Sequence, residues 1–472
     1  MSYLDRFGLS HPPLPKDACG STFHDQGDDF VRVARLFRWL ADEPGLGILV
    51  GDAGTGKTAT MRHLCAQLTR PRHRVLYLCD STLKPAGIYR ALASELGVRS
   101  FPQFFRGKKI LELGDERRTY KGLLPKLPLR ALIDLGLSIE RLEWMARSVP
   151  LDAPGTARKA TLWDGMTVAE WLERHVKTAD ARKVLELATH AIFAAETRSL
   201  SLLYFLFYTR SGRSFTRLAQ IQGGAQQERF IGGAQQLSEG LRARIGAQHV
   251  LMDSPVTAIS HGPDQVIVRT PRADYTARSA VLAVPPALAD TIAFSPALPA
   301  DRAALHREMP MGSVVKCIVA YDRPFWREAG HSGEVVSDGE PIRAVFDDSS
   351  HDGGHPALLC FVLGDVARRF GLLPEAERRA QIVAHLVRLF GDAAASPRAY
   401  VDKDWVADPW SSGCYVGLMG PGLLTRAGEA LRRPVGRLHF AGTETAVRWC
   451  GYLDGAIESG ERAATEVLAR LA

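Results

Sequence analysis

The feature that most restricts the fold of this chain is a short apolar run that leads directly into a glycine-rich loop. Residues 47–50 read as a buried strand, and residues 51–58 follow with the sequence GDAGTGKT. A helical stretch over 59–68 and a second strand-like run over 74–78 come next. This order of strand, glycine loop, helix and strand is typical of a P-loop unit, whose loop holds phosphate. We therefore expect an α/β P-loop half-domain at the start of the chain.

The spacing G-x-x-x-x-G-K-T matches what a phosphate-binding loop requires of its glycines, its lysine and its threonine. Gly51, Gly54 and Gly56 let the backbone turn tightly enough for successive N–H groups to converge on phosphate oxygens. Lys57 is placed to reach the β- and γ-phosphates, and Thr58 to hold Mg²⁺ if Mg-ATP binds. We predict no other metal site. The alternatives are a glycine turn without chemical consequence and a Rossmann dinucleotide turn, but no G-x-G-x-x-G follows this strand.

Residues 1–97 resemble the AAA+ ATPases that help transposition or general secretion. The resemblance is carried by the segments YLDRFGLSHPPL (3–14), GILVGDAGTGKT (47–58) and RVLYLCDSTLKPAGIYRALASELG (74–97). Such ATPases also need a strand that ends in Asp-Glu and a later arginine for the γ-phosphate. Asp80 lacks the adjoining Glu, and Asp134 is followed by Leu135. We expect both carboxylates to be structural, and the segment to bind nucleotide without efficient hydrolysis.

The rest of the chain has a different pattern, and we place the boundary between residues 97 and 98. Strand-like segments alternate with helical ones, which predicts an α+β body with mixed sheets over residues 98–472. The predicted strands are 250–259, 265–270, 280–284, 314–321 and 357–363. The predicted helices are 182–196, 233–245, 375–390 and 453–471.

Charge, cysteine content and hydropathy point to an intracellular enzyme. The net charge of +7 is spread over 472 residues, so it permits an acidic partner without requiring one. Seven scattered cysteines with no C-x-x-C pair predict neither a disulfide framework nor a zinc site. The N-terminus has no signal-peptide pattern, and the longest apolar run, 202–208, is too short to span a bilayer and reads as a buried helix. We expect a cytoplasmic protein with no membrane or nucleic-acid partner.

From Leu111 onward the chain resembles the flavin-containing monoamine oxidases. The resemblance is carried by GDERRTYKG (114–122), GGAQQERFIGGAQQLSEGL (223–241), VLAVPPAL (281–288), MGSVVKCIVAYDRPFW (311–326), SSGCYVGLMGPGLLT (411–425) and HFAGTETAVRWCGYLDGAIESGERAATEVL (439–468). It implies a flavin amine oxidase-like fold with FAD as cofactor, and a small primary amine and O₂ as reaction partners. The amine is oxidised to an imine that hydrolyses to an aldehyde and ammonia, and O₂ becomes hydrogen peroxide.

The resemblance also implies roles for four residues around the flavin ring. Cys414 stands where monoamine oxidases bond a thiol to FAD, although a small buried hydrophobe is the ordinary alternative. Tyr415 and Tyr452 match the two tyrosines that flank the amine, rather than two core residues. Lys316, in an apolar strand, matches the lysine that holds a water at flavin N5, and its alternative is a solvent-facing position on an edge strand.

Further cofactor and substrate contacts follow from the same motifs. Trp405 resembles a tryptophan packed near the flavin, and Gln227 a glutamine that lines the substrate cavity, with Gln226 as its competitor. Val256 falls where the family touches adenine through its backbone. The flavin's ribityl and pyrophosphate groups would pass five residues near the start of the last helix. These are Gly442, Thr443, Glu444, Gly451 and Tyr452.

One part of the family pattern is missing from the sequence. An amine oxidase begins with a strand, G-x-G-x-x-G, a helix and an acidic residue for the ribose, and nothing of that kind is present before or after residue 101. We infer that two truncated genes were joined near residues 91–98. Three functions stay open at this point: an amine oxidase that keeps FAD through Cys414 and its C-terminal contacts, an ATP-binding helper of transposition or secretion, and an inactive fusion.

Overall fold

The computed structural model describes residues 96–122 and 125–471, together with Val33, Ala34, Phe37, Leu64 and Ala93. The chain divides into two compact units, Met1–Leu83 and Lys84–Ala472, and every helix and strand below belongs to the second. The predicted P-loop residues, Gly51, Gly54, Gly56, Lys57 and Thr58, lie outside the described residues. The P-loop half-domain and the boundary between residues 97 and 98 stay predictions.

The second unit mixes strands and helices along its whole length. Its strands are β1 (Ser100–Pro102), β2 (Lys108–Leu113), β3 (Glu116–Tyr120), β4 (Glu228–Phe230), β5 (Ala258–His261), β6 (Val266–Arg269), β7 (Asp274–Ala277), β8 (Ala280–Leu282), β9 (Ala293–Ser295), β10 (Val314–Ala320), β11 (His331–Ser337), β12 (Ala344–Asp347), β13 (Ala357–Leu363), β14 (Ala399–Asp404) and β15 (Leu438–Phe440).

The α-helices lie between these strands and after the last of them. They are α1 (Leu129–Arg147), α2 (Ala160–Asp164), α3 (Val168–His175), α4 (Ala179–Phe193), α5 (Leu202–Ser211), α6 (Phe215–Ala219), α7 (Gln235–Ile245), α8 (Pro286–Ala289), α9 (Ala300–Glu308), α10 (Phe325–Glu328), α11 (Gly364–Gly371), α12 (Glu375–Phe390), α13 (Leu423–Ala427) and α14 (Leu453–Leu471).

A seven-stranded mixed sheet is the centre of the unit, in the order β14-β10-β13-β12-β11-β2-β3. The pair of β11 and β2 is parallel, and the other neighbours are antiparallel. Strands β10 and β13 read as almost continuous apolar runs, because one face of the sheet packs under α12 while the other meets a second apolar cluster. The prediction of an α+β body with mixed sheets is confirmed.

The largest core is helical and surrounds α5. Residues 202–208 of this helix are all buried, which confirms the prediction of a buried helix for that apolar run. Helices α1 and α4 pack against α5, and α13 adds Leu423 and Leu424 to the same core. Ser201 begins α5 by accepting a hydrogen bond from the Tyr204 backbone N–H, as expected of an N-cap serine.

Three smaller sheets are also present among the described residues. One has the order β7-β6-β5-β9, and the others are the antiparallel pair of β1 and β4 and the parallel pair of β15 and β8. Leu282 of β8 and Phe440 of β15 share a small core with Ile259 and Val266. Helix α14 follows β15 after a short connection that holds the GTET motif, so the last motif of the sequence runs from a parallel strand into a helix.

The predicted elements agree with the structure except at irregular backbone. The strand at 357–363 and the helices at 375–390 and 453–471 are confirmed to the residue. The predicted strand 250–259 is largely wrong, because Asp253 has a φ of 51° and Pro255 has no N–H to donate, so β5 begins only at Ala258. Among the described helices, none is both long and apolar enough to cross a bilayer.

Candidate active site

Lys316 is positioned by an interior strand of the large sheet. Strand β10 lies between β14 and β13, so the alternative of a solvent-facing lysine on an edge strand is wrong. Its Nζ lies 5.5 Å from the ring centres of both Phe361 and Tyr415. Burial raises the pKa of Asp348, and the charges of Arg229 and Lys316 offset part of that rise. Two aromatic faces therefore partly compensate the half-buried ammonium group.

Cys414 and Tyr415 lie on a loop that runs beside the start of β10. The Cys414 N–H donates to the carbonyl of Gly312 at 2.9 Å, and Met311 forms a β-bridge with Gly417. Gly413 has a φ of +140°, and a side chain there would collide with Met311 and the carbonyl of Gly312. This close approach of the two segments brings Cys414 and Tyr415 to the Lys316 side of the sheet.

Tyr452 comes from the other end of the sequence, at the turn before α14. Its ring centre lies 5.3 Å from that of Trp449 and 6.3 Å from that of Tyr208. Thr443 fixes the turn because its hydroxyl donates to the Tyr452 carbonyl at 2.9 Å. Gly451 has a φ of +84°, and an added Cβ would overlap the Tyr208 hydroxyl, so the tight turn requires glycine.

The environment of these groups shows that they converge. Burial raises the pKa of Tyr415 well above its ordinary value, and the neighbouring Cys414 and Tyr452 raise that pKa further. Burial also raises the pKa of the Cys414 thiol, while Lys316 lowers it. The structure therefore brings Lys316, Cys414, Tyr415 and Tyr452 together from segments up to 136 residues apart in the sequence.

A cleft of about 1410 Å³ opens beside Tyr452. Ile318 and Ala320 line it from β10, and because side chains alternate along a strand, Lys316 points to the same side. The sequence analysis did not single out several residues of this wall, among them Arg217, Asp348, Trp449 and Asp454. Trp449 and Asp454 fall within a motif that the sequence analysis quoted, whereas Arg217 lies on the short helix α6 and carries no pattern that would have identified it.

Asp454 is an unusual carboxyl group in this wall. It lies in the first turn of α14, and its Oδ1 is buried without a hydrogen-bond partner in the described structure. Burial raises its pKa from 3.8 to about 6. It is therefore mainly ionised at neutral pH and adds negative charge to the end of the cleft near Tyr452.

Two further residues were predicted to contact the flavin or the substrate, Trp405 and Gln227. Trp405 packs with Cys414 and Tyr415 against Val314, and its Nε1 is buried without a partner among the described residues. Gln227 lines the cleft, and its Oε1 accepts the Gly223 N–H at 2.8 Å, while its competitor Gln226 is exposed. Their predicted roles stay predictions.

The residues predicted to contact the adenine, ribityl and pyrophosphate parts of FAD form a second group. Val256 packs in the small core with Leu282 and Phe440. The Gly442 N–H already donates to the Ser459 hydroxyl at 3.0 Å, and the buried Glu444 carboxylate accepts the Gly417 N–H at 3.2 Å. Burial raises the pKa of Glu444. The hydroxyl of Thr443 links this group to the Tyr452 turn.

The groups around Lys316 fit the ring system of a flavin. The Cys414 thiol makes no hydrogen bond to a described residue, and it lies in the same small cluster as the unpaired indole N–H of Trp405. Lys316 offers an ammonium group beside them, and Tyr415 and Phe361 offer aromatic faces. A thiol, a cation and two aromatic rings in an edge-to-face pair suit a flat, redox-active tricyclic ring that carries hydrogen-bond acceptors.

The fold and this site define a flavin-dependent oxidase of amines, and the comparison with protein families agrees. Residues 87–468 match the family model described as "Flavin containing amine oxidoreductase". The chain therefore belongs to the flavin-containing amine oxidoreductase family. Homologues in this family support FAD-dependent amine oxidase function, so that prediction is confirmed.

Individual relatives extend over most of the chain. A Dictyostelium discoideum protein named probable flavin-containing monoamine oxidase A is 40% identical over 384 residues, which cover 81% of this chain and 84% of that protein. The human flavin-containing amine oxidase B is 35% identical over 440 residues, or 91% of this chain and 83% of the human one.

Solved structures share the fold. Cyclohexylamine oxidase from Brevibacterium oxydans IH-35A superposes with a TM-score of 0.77 at 30% identity, covering 80% of this chain and 84% of that one. A putrescine oxidase bound to putrescine gives a TM-score of 0.78 at 28% identity, covering 81% and 85%.

Proposed function

We propose that this enzyme oxidises a small primary amine held between Tyr415 and Tyr452, with FAD joined to the protein through Cys414. The observation that carries the proposal is the convergence of Lys316, Cys414, Tyr415 and Tyr452, the last of which also lines the cleft. The chemistry that FAD supplies when bound is oxidation of the amine to an imine, which water hydrolyses to an aldehyde and ammonia, with O₂ reduced to hydrogen peroxide.

The aromatic groups bind and orient the amine. The faces of Tyr415 and Tyr452 carry partial negative charge, which attracts a cationic amine as it arrives, and their apolar bodies keep bulk water away from the reacting carbon. Burial raises the pKa of the Tyr452 hydroxyl as well as that of Tyr415, so both phenols stay neutral across the working pH range. Gln227 would contact the substrate farther along the cleft, with Trp405 packed beside the flavin.

Lys316 holds a positive charge where oxygen reduction places negative charge. An ammonium group in a half-buried site stabilises such charge more strongly than one in water. We expect Lys316→Met to lower the rate of hydrogen peroxide formation from benzylamine at least tenfold, measured with the FAD-loaded enzyme. The matched control is Lys177→Met, an exposed lysine distant from these residues in sequence. Equal rates for both variants would contradict the role of Lys316.

Covalent attachment through Cys414 has its own test. Acid precipitation releases a flavin that is held only by noncovalent contacts, whereas a thioether keeps it in the pellet. We expect wild-type protein to give a yellow pellet, and Cys414→Ala to give a colourless pellet with flavin in the supernatant. Cys317→Ala removes another thiol, on the opposite face of β10, and should leave the pellet yellow. A colourless wild-type pellet would contradict covalent attachment of FAD through Cys414, but it would not contradict amine oxidation.

We also propose that the first 97 residues bind Mg-ATP through Gly51, Gly54, Gly56, Lys57 and Thr58, with Thr58 as the protein's ligand to Mg²⁺. The support is the motif and its strand–loop–helix order in the sequence. Titration with a fluorescent ATP analogue tests this, because Lys57→Ala should abolish binding without changing the flavin content. On this reading residues 1–97 and 98–472 are separate modules of one cytoplasmic protein.

A further inference from the structure

An unpaired arginine lines the cleft near the start of α14. Arg217 lies on α6, and its Nε is buried with no hydrogen-bond partner in the described part of the chain. Its guanidinium carbon lies 5.6 Å from the ring centre of Trp449, whose own Nε1 is also buried and unpaired. Two buried donors without acceptors therefore lie side by side in the wall of one cleft. Buried donors of this kind are costly unless a ligand supplies the acceptor.

Arg217 has a cationic neighbour and no ion pair among the described residues. Arg213 lies close by, since its pKa is lowered by burial and then by the charges of Arg217 and Arg448. No carboxylate among the described residues forms an ion pair with Arg217. Asp348 and Asp454 share the cleft wall, but Asp348 pairs with Arg229, and Asp454 makes no ion pair with Arg217 in the described structure. The Arg217 fork is therefore suited to a planar carboxylate of a ligand, which it can bind through two parallel hydrogen bonds.

The position of Arg217 relative to the tyrosines sets the length of the ligand. The Trp449 ring is a neighbour of both groups, with its centre 5.6 Å from the Arg217 guanidinium carbon and 5.3 Å from the Tyr452 ring centre. A carboxylate at Arg217 is therefore separated by about one aromatic side chain from an amine held at Tyr452. This separation suits a molecule whose amino and carboxylate groups are at opposite ends of a short carbon chain, and not an α-amino acid.

We propose that the substrates of this enzyme are ω-amino carboxylates, primary amines that carry a carboxylate at the far end, and that Arg217 is the residue that selects them. The inference rests on the proposed amine oxidation, because it assumes that the amine lies between Tyr415 and Tyr452. Arg217 pairs with the carboxylate, the Trp449 ring packs along the methylene chain, and the amino end reaches the tyrosines.

Binding of the carboxylate can be measured without turnover. Calorimetric titration of the FAD-loaded enzyme should show hexanoate binding at least tenfold more tightly than hexan-1-ol, which has the same chain without the charge. Arg217→Met should abolish this preference, and Arg217→Lys, which keeps the charge without the planar fork, should retain part of it. Arg158→Met is the matched control, since this arginine is exposed and outside the cleft wall, and it should bind hexanoate as the wild type does.

Turnover gives the second measurement. We expect Arg217→Met to raise the KM for 6-aminohexanoate at least tenfold and to change the KM for hexylamine less than about twofold. The proposal is overturned if wild-type enzyme binds hexanoate no better than hexan-1-ol, or if Arg217→Met keeps the preference. Loss of bound flavin in Arg217→Met with unchanged hexanoate affinity would show that Arg217 binds the cofactor. That result would also overturn the proposal.

Failure of the proposed function gives a different result. Wild-type enzyme that oxidises neither hexylamine nor 6-aminohexanoate contradicts the amine oxidation, while the titration with hexanoate still decides whether Arg217 binds a carboxylate. Conversely, oxidation of hexylamine by an enzyme that binds hexanoate no better than hexan-1-ol supports the proposed amine oxidation. It contradicts the proposal that the substrates are ω-amino carboxylates. Tryptophan fluorescence and thermal melting of each variant show whether the substitution has disturbed the packing of Trp449.

Discussion

Single residues in this molecule fix the backbone turns that place Cys414, Tyr415 and Tyr452. Gly451 and Gly413 both have positive φ values and both approach other segments too closely for a side chain. Asp134 is an example of a structural role, because its carboxylate accepts the N–H groups of Lys177 and Thr178 and the Thr178 hydroxyl. Its predicted structural role is thus confirmed, since those bonds tie α1 to the segment before α4.

The turn at Gly451 provides a prediction for stability. Gly451→Ala adds a Cβ at a φ of +84° and overlaps the Tyr208 hydroxyl, so the free energy of unfolding should fall by about 2 kcal/mol or more. Urea unfolding at neutral pH measures this change.

The same helix offers a matched control. Gly460→Ala lies in the exposed interior of α14 with nothing within 4 Å of the added Cβ, so it should stabilise by about 0.5–1 kcal/mol. Equal effects of the two substitutions would show that the Gly451 turn is not constrained as described.

At the level of elements, a buried carboxylate joins three of them. Glu112 of β2 accepts hydrogen bonds from Arg388 and His385 of α12 and from the Ser337 hydroxyl of β11. Burial alone raises the pKa of Glu112, but the bonds from Arg388, Ser337 and His385 outweigh it and hold that pKa at about 2. The carboxylate therefore fastens α12 to the sheet that carries Lys316.

The lowered pKa predicts how stability depends on pH. Because Glu112 binds its proton more weakly when folded, its contribution is complete above its ordinary pKa of 4.5 and is lost as the pH falls from there to about 2. Glu112→Gln should lower the free energy of unfolding by about 2–3 kcal/mol at pH 6. The difference from wild type should shrink as the pH is lowered to 3, measured by urea unfolding at each pH.

An exposed glutamate on the neighbouring strand is the control for this prediction. Glu116 of β3 pairs with Arg118 at the surface, so Glu116→Gln should change stability by less than about 0.5 kcal/mol at any of these pH values. A difference between Glu112→Gln and wild type that is constant from pH 6 to 3 would show that the carboxylate's charge does not hold α12.

On the scale of the whole molecule, the sheet and the loops have different tasks. The seven-stranded sheet supplies a rigid interior strand for Lys316, while the loop at 411–417 and the turn before α14 bring the tyrosines to it. Function on loops held by a rigid scaffold is the common arrangement in enzymes. The same arrangement lets a short helix such as α6 add a specificity group without altering the sheet.

Local patterns predicted much of the second unit. The periodicity of α12 and α14 and the apolar run of β13 were enough to place those elements to the residue, because helices and strands repeat their burial pattern over many positions. The strand predicted at 250–259 was wrong because one positive φ and one proline interrupted an otherwise suitable pattern. The sequence motifs also predicted the family, and they singled out Lys316, Cys414, Tyr415 and Tyr452, which the structure brings together.

By itself, the sequence determined which side chains are available: a thiol followed by a tyrosine, a lysine in an apolar strand and a tyrosine before the last helix. Only the tertiary structure decided that these groups lie together, that Lys316 is on an interior strand, and that Arg217 shares the cleft with Tyr452. The physical reason is that sequence spacing reports contacts within one helix or strand. Contacts between segments more than 100 residues apart depend on how the sheet, α6 and α14 pack, which no local pattern records.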